Sequence, residues 1–215
     1  MPAPQTPRRD AVDRLGAATR RLRSAVVGTE APDDVLDDVV AQLDALTDLL
    51  AAHPRAAGEP PSADRRADGG HAPTGTSAFD PATGSGSPVA PPLTVTRAHH
   101  AATGTCRLGA VQQGAPGAVH GGVLALLLET MTGQAVLGDD QPRLVSKLAI
   151  AYRGPVPQDA DLVLEARVTS AEDTRWRVTT TLATAAEPGT VLTECQGTVL
   201  QLRPDQLARH RALQA

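Results

Sequence analysis

Apolar residues recur along the chain with different rhythms, and the changes of rhythm divide it. From about Arg9 to Val27, Val12, Leu15, Leu22 and Val26 fall at helical spacing. After Gly28-Thr29 a second helix is predicted, opening on Pro32-Asp33-Asp34, residues suited to a first turn. It sets Val35, Val39, Leu43, Leu46 and Leu50 on one stripe, so residues 1–53 read as an amphipathic helical hairpin. From His53 to Ala90 no period survives. Gly, Pro, Ser, Ala and Asp dominate, a composition that buries too little apolar surface to offset the entropy of ordering. Residues 54–90 are therefore expected to be a linker, partly disordered, whose end from Phe79-Asp80-Pro81 to Pro91-Pro92 docks in extended form on the domain after it.

Beyond Pro92 the period becomes two. Leu93 to Val95 and Thr103 to Val111 predict paired strands across a turn at His99-His100-Ala101. A loop, Gly114 to Gly122, leads into a helical run to about Val136. Four strand patterns come next: Ser146, Leu148, Ile150 and Tyr152; Leu162, Leu164, Ala166 and Val168; Trp176, Val178, Thr180 and Leu182; and a run from Thr190 to Leu202. One long helix between a first hairpin and a series of antiparallel strands implies an α+β domain over 91–203, the helix covered by a curled sheet. Residues 204–215 are expected to form a short helical tail.

Composition narrows the chemistry. Phe79, Tyr152 and Trp176 are the only aromatic residues, so the core must be aliphatic and base stacking has no platform. A net charge of -4 argues against a phosphate-backbone binder, and no nucleic-acid partner is expected. The amino terminus lacks the apolar core of a secretory signal and no run approaches a membrane span, so a soluble cytoplasmic protein without a membrane partner is expected. Cys106 and Cys195 sit in strand patterns with no second ligand pair nearby; free thiols are expected, with no metal and no cofactor.

The helix from Val123 to Met131 is apolar nearly all round, and Glu129 is its one charge. A carboxylate there is costly to ionise and its pKa tends upward, into the range of a general base. A solvent-facing slot, or a structural partner, would explain the helix equally well. The preceding loop favours chemistry: Gly121 and Gly122 leave backbone N–H groups unobstructed at the positive end of the helix dipole, a site for an oxyanion.

With these residues in view the sequence resembles a known family. Val119-His120-Gly121-Gly122-Val123-Leu124-Ala125, with a carboxylate nine residues after the histidine, is similar to the hotdog-fold thioesterases of the phenylacetate-pathway type. Ala151-Tyr152-Arg153-Gly154-Pro155-Val156-Pro157 matches the strand end common there, and the resemblance spans about Pro88 to Leu202. It implies a hotdog fold and hydrolysis of an acyl-CoA or acyl-carrier thioester to free acid and thiol. Glu129 would be general base or nucleophile, Gly121 with Gly122 would bind the carbonyl oxygen, and His120 would shape the turn. Leu126 and Met131 would line an apolar acyl pocket, and Arg153 or Arg143 would meet the phosphates of coenzyme A. Two positions depart from the family. Gly114 stands where many members have asparagine, and Val145 where serine or threonine is common, with Ser146 beside it. Gln112 or Gln113 would then supply the missing polar groups.

Gly121 and Glu129 are eight residues apart on one helix, about 12 Å along its axis. One thioester cannot touch both within a chain, which predicts a homodimer with composite sites; pairing of dimers into a tetramer stays open. Two other readings stand beside the thioesterase. One is a hotdog acyl-thioester dehydratase or hydratase using His99 or His100. The other is a non-catalytic acyl-CoA sensor with the hairpin as effector, where six Arg against nine acidic residues in 1–53 disfavour DNA.

Overall fold

The period-two segments of the computed structural model, which describes residues 7–56, 61–64, 77–138, 142–203 and 206, become six strands. They are β1 (Thr94–Ala98), β2 (Ala101–Arg107), β3 (Arg143–Tyr152), β4 (Asp161–Glu172), β5 (Arg175–Thr184) and β6 (Thr193–Gln201). All pairs are antiparallel in one sheet ordered β1-β2-β4-β5-β6-β3, which leaves β1 and β3 at its edges. The β1–β2 turn is tight, and His100 takes a φ of 58° to close it.

One face of the sheet is apolar because alternate residues point the same way. Ala102 and Cys106, Leu162, Leu164 and Ala166, Trp176, Val178 and Leu182, and Cys195 and Val199 are all buried. The helix α3 (Gly121–Gln134) lies on this face and buries Leu124, Leu127, Leu128 and Met131. Two glycines permit the close approach. A Cβ at Gly104 would stand 2.8 Å from Met131 Sδ, and one at Gly197 would collide with Thr132 Cγ2. Thr132 and Thr180 then share a buried hydrogen bond of 3.0 Å. Both cysteines are free and buried, and burial pushes the Cys106 thiol up to about 11.

Two helices, α1 (Pro7–Gly28) and α2 (Asp33–Ala51), occupy the two amino-terminal segments. The buried residues of α1, Val12 and Gly16, face a turn rather than α2: a Cβ on Gly16 would lie 2.6 Å from the Gly86 carbonyl carbon. No residue of α2 is buried.

Residues 77–90 are not extended but form consecutive turns. Asp80 Oδ1 accepts from the Ala82 and Thr83 amides at 2.9 and 2.7 Å and from Thr83 Oγ1 at 3.0 Å. Buried Asp64 accepts from Ser77 Oγ and the Ala78 amide, both at 2.6 Å, and faces Arg9 at 3.5 Å. A segment poor in hydrophobes is here held by side-chain to backbone hydrogen bonds. The rest of the expected linker, 57–60 and 65–76, and the expected tail apart from Gln206, lie outside the described residues.

Candidate active site

His120 is the N-cap of α3. Its Nδ1 accepts from the Gly122 amide at 2.9 Å, and its carbonyl accepts from Val123 and Leu124 at 2.9 and 3.2 Å. Its own N–H donates to the Gln112 carbonyl at 2.8 Å, which fixes the turn. The Gly122 amide is thereby used up. The Gly121 amide has no acceptor among the described residues, so at the positive end of the helix it alone of the two glycines offers a free donor. The Tyr152 hydroxyl donates to the Gly121 carbonyl at 3.0 Å and holds that peptide in place. Gly121 opens on a groove of about 490 Å³ lined by Gly114, Val119, Leu124, Tyr152, Arg153 and Val156.

Glu129 lies further along α3 in a separate cleft of about 180 Å³, lined by Asp80, Thr130, Gly133, Arg143, Leu144 and Val145. It is half-buried and makes no hydrogen bond or ion pair among the described residues. Loss of water raises its carboxyl above the usual range, and the nearby charge of Asp80 raises it further. Such a carboxylate takes a proton from water more readily than an exposed one. The two clefts share no lining residue.

The remaining site residues expected from sequence scatter. Gly114 lines the Gly121 groove, and a Cβ there would meet His120 Cα at 2.8 Å, so no asparagine fits this backbone. Gln113 bridges to Val119 and accepts from Gln158 Nε2 at 3.3 Å, while the Gln112 side chain accepts from the Gly109 amide at 3.2 Å. Arg153 lines the groove and pairs with Glu194 at 2.5 Å. Leu126 is half-buried, and Met131 is fully buried in the core; neither lines either cleft. Ser146 falls at a bulge in β3 and donates to the Thr198 carbonyl at 3.1 Å, away from both.

Arg143 stacks on Trp176 at 4.4 Å and borders the Glu129 cleft. His99 and His100 line another cavity, of about 710 Å³, which meets that cleft only through Val136, Leu137 and Arg143. Asp80 is the residue that sequence reasoning missed. Phe79-Asp80-Pro81 signals a turn, and nothing in it signals a neighbour on α3. Among the described residues there is no group of His, Cys, Asp and Glu able to hold a metal, and no helix long and apolar enough to cross a membrane.

Residues 116–186, which contain the His120 turn, α3 and the strands to β5, match the model of the Thioesterase superfamily. A crystal structure of a thioesterase superfamily protein aligns over 94% of this chain and 94% of its own, with 27% identity and a TM-score of 0.75. That match takes in the amino-terminal helices as well as the sheet. Two others align over about half of the chain: zebra fish thioesterase superfamily member 2 (18% identity, 51% of this chain and 81% of that one, TM-score 0.47) and the E. coli PaaI protein from the phenylacetic acid degradation operon (15% identity, 52% and 80%, TM-score 0.48). No protein with a curated description matches. Over residues 116–186 the chain is thus similar to the Thioesterase superfamily, and its curled antiparallel sheet around α3 has the hotdog fold.

Proposed function

We propose that this protein hydrolyses an acyl-CoA thioester to the free acid and coenzyme A. The observation that carries the reading is the pairing of an unused Gly121 amide at a helix start with one half-buried, unpaired carboxylate, Glu129, on the same helix. The Gly121 N–H would hold the thioester oxygen as charge builds on it. Glu129 would take a proton from water as the water oxygen bonds to the carbonyl carbon. Collapse of the tetrahedral adduct breaks the C–S bond, and the thiolate leaves with the proton held by Glu129.

The two groups lie about 12 Å apart along α3, in different clefts, which favours sites built from two chains. The edge strand β3 suits this arrangement. Tyr152 and Arg153 at its end border the Gly121 groove, and Leu144 and Val145 near its start border the Glu129 cleft. Antiparallel pairing of two β3 edges across a twofold axis would bring the end of one strand to the start of the other. Gly121 of each chain would then approach Glu129 of its partner.

The test is thiol release from a panel of acyl-CoAs. Wild type should turn over at least one, and Glu129→Gln should lose about 10²- to 10⁴-fold in kcat. Wild type that releases no thiol from any of them, or a Glu129→Gln variant as fast as wild type, would defeat the proposal.

A further inference from the structure

The helix α1 carries six arginines against two aspartates, whereas α2 carries six aspartates and no basic residue. Part of the basic face of α1 closes a cavity of about 530 Å³ against the loop after β2, lined by Arg20, Arg21, Arg23, Arg107, Gln112 and Asp159 among others. How each guanidinium is held decides what the cavity can bind. Arg20 Nη1 donates to the Ser85 and Ser87 carbonyls, each at 2.7 Å, and Arg23 Nη1 donates to the Pro88 carbonyl. Neutral carbonyls orient these groups without cancelling their charge, and both side chains are half-buried. Arg21 is exposed, with no hydrogen bond or ion pair among the described residues. Arg107, by contrast, is neutralised by a two-pronged pair with Asp161 at 2.9 and 2.8 Å. Three uncompensated cations therefore face one lining carboxylate, Asp159, on a chain whose net charge is -4.

Fixed guanidiniums without counterions match a ligand bearing several phosphate oxygens. Ala17, Ala90, Pro92 and Val111 give the same cavity an apolar wall against which a ring can rest. Its location ties it to the groove at Gly121. Gln112 lines the cavity, and its carbonyl accepts the His120 N–H at 2.8 Å, one hydrogen bond from the cap of α3. The loop then continues to Gly114, which lines the groove.

We infer that the Arg20–Arg21–Arg23 cavity binds the phosphorylated nucleotide end of coenzyme A, which makes α1 the element that selects CoA esters over other thioesters. Only the identity of the nucleotide rests on the thioesterase reading; the multiply charged phosphate ligand is argued from the cavity itself. Salt should weaken the interaction, since the charges are partly open to water.

The experiment uses the full chain and two variants, Arg20→Gln/Arg23→Gln, which removes both half-buried charges, and Arg21→Gln, which breaks no bond. Calorimetry with free coenzyme A and with 3′-dephospho-coenzyme A reads the cavity directly. Turnover of one acyl group carried on coenzyme A or on N-acetylcysteamine reads its role in selection. The double variant should weaken coenzyme A binding about tenfold or more and raise KM for the acyl-CoA to match, with kcat nearly unchanged. Arg21→Gln should move both in the same direction by less. The N-acetylcysteamine thioester should be hydrolysed equally by all three proteins. Unchanged coenzyme A binding in both variants, no binding to wild type, or equal losses on the two thioesters would overturn the inference. If wild type hydrolyses neither thioester, the proposed function fails, and arginine-dependent coenzyme A binding would still support the cavity.

Discussion

Asp80 and Glu129 line the same cleft, although one lies in the turns before the sheet and the other on α3. The Asp80 carboxylate is held by three hydrogen bonds to Oδ1 from Ala82 and Thr83, so its charge stays near Glu129 rather than swinging into solvent. Burial is the larger cause of the raised Glu129 carboxyl, and Asp80 is the second. Arg143 lines the cleft as well.

Asp80→Asn separates charge from structure, because an asparagine Oδ1 accepts the same three hydrogen bonds. With the like charge gone, the Glu129 pKa falls. If ionised Glu129 is the base, the acid limb of the kcat/KM profile should move to lower pH while the thermal midpoint at neutral pH stays within a few degrees. A limb that stays in place, or moves upward, would show that Asp80 does not act on the reacting carboxylate.

A raised carboxyl also has a cost in stability. Glu129 holds its proton more tightly folded than unfolded, so the folded state is favoured below the ordinary glutamate range and loses that advantage as pH rises through the folded pKa. Glu129→Gln is neutral at every pH. It should therefore melt a few degrees above wild type at pH 8 and level with it near pH 4. Equal melting at both pH values would mean that Glu129 is not strained by its surroundings.

Composite sites can be tested by mixing defects. Glu129→Gln and Gly121→Val should each abolish turnover; a Cβ at Gly121 meets the Tyr152 ring at 3.5 Å, and a valine narrows the groove further. A heterodimer purified through two tags, one variant per chain, would hold one intact site and one doubly damaged site. It should recover about half of wild-type activity. Recovery of none, with both parents folded and dimeric, would mean that Gly121 and Glu129 do not meet across chains.

The seat of α1 depends on Gly16. An added Cβ would stand 2.6 Å from the Gly86 carbonyl carbon and the Ser85 oxygen, both backbone and unable to yield cheaply. Gly16→Ala should cost about 1–3 kcal/mol, lowering Tm by several degrees, and should expose α1 to protease. Melting and cleavage like wild type would show that α1 is not held there.

Local pattern carried much of the fold. The alternation in Leu162-Leu164-Ala166 and Trp176-Val178-Thr180-Leu182 placed one face of the sheet, and an all-round apolar helix interrupted only by Glu129 placed α3 within the domain. These readings succeed because a strand or helix records in its own sequence which of its faces avoids water. The His120-Gly121-Gly122 start could be read for the same reason, since cap and dipole belong to a few consecutive residues.

What the residues could not announce was which faces meet. Charge summed over residues 1–53 conceals a basic α1 beside an acidic α2, and only the packing of α1 on the loop after β2 gathers its arginines around a cavity. Residues 77–90 carry no hydrophobic rhythm, yet hydrogen bonds to Asp64 and Asp80 order their backbone and Ala78 packs with Val12 and Ala63. The folded chain also decided which glycine amide stays free, since the His120 ring turns back onto Gly122 and leaves Gly121 open. Periodicity encodes burial but not the neighbour that provides it, and the neighbour is set by contacts between residues far apart in the chain.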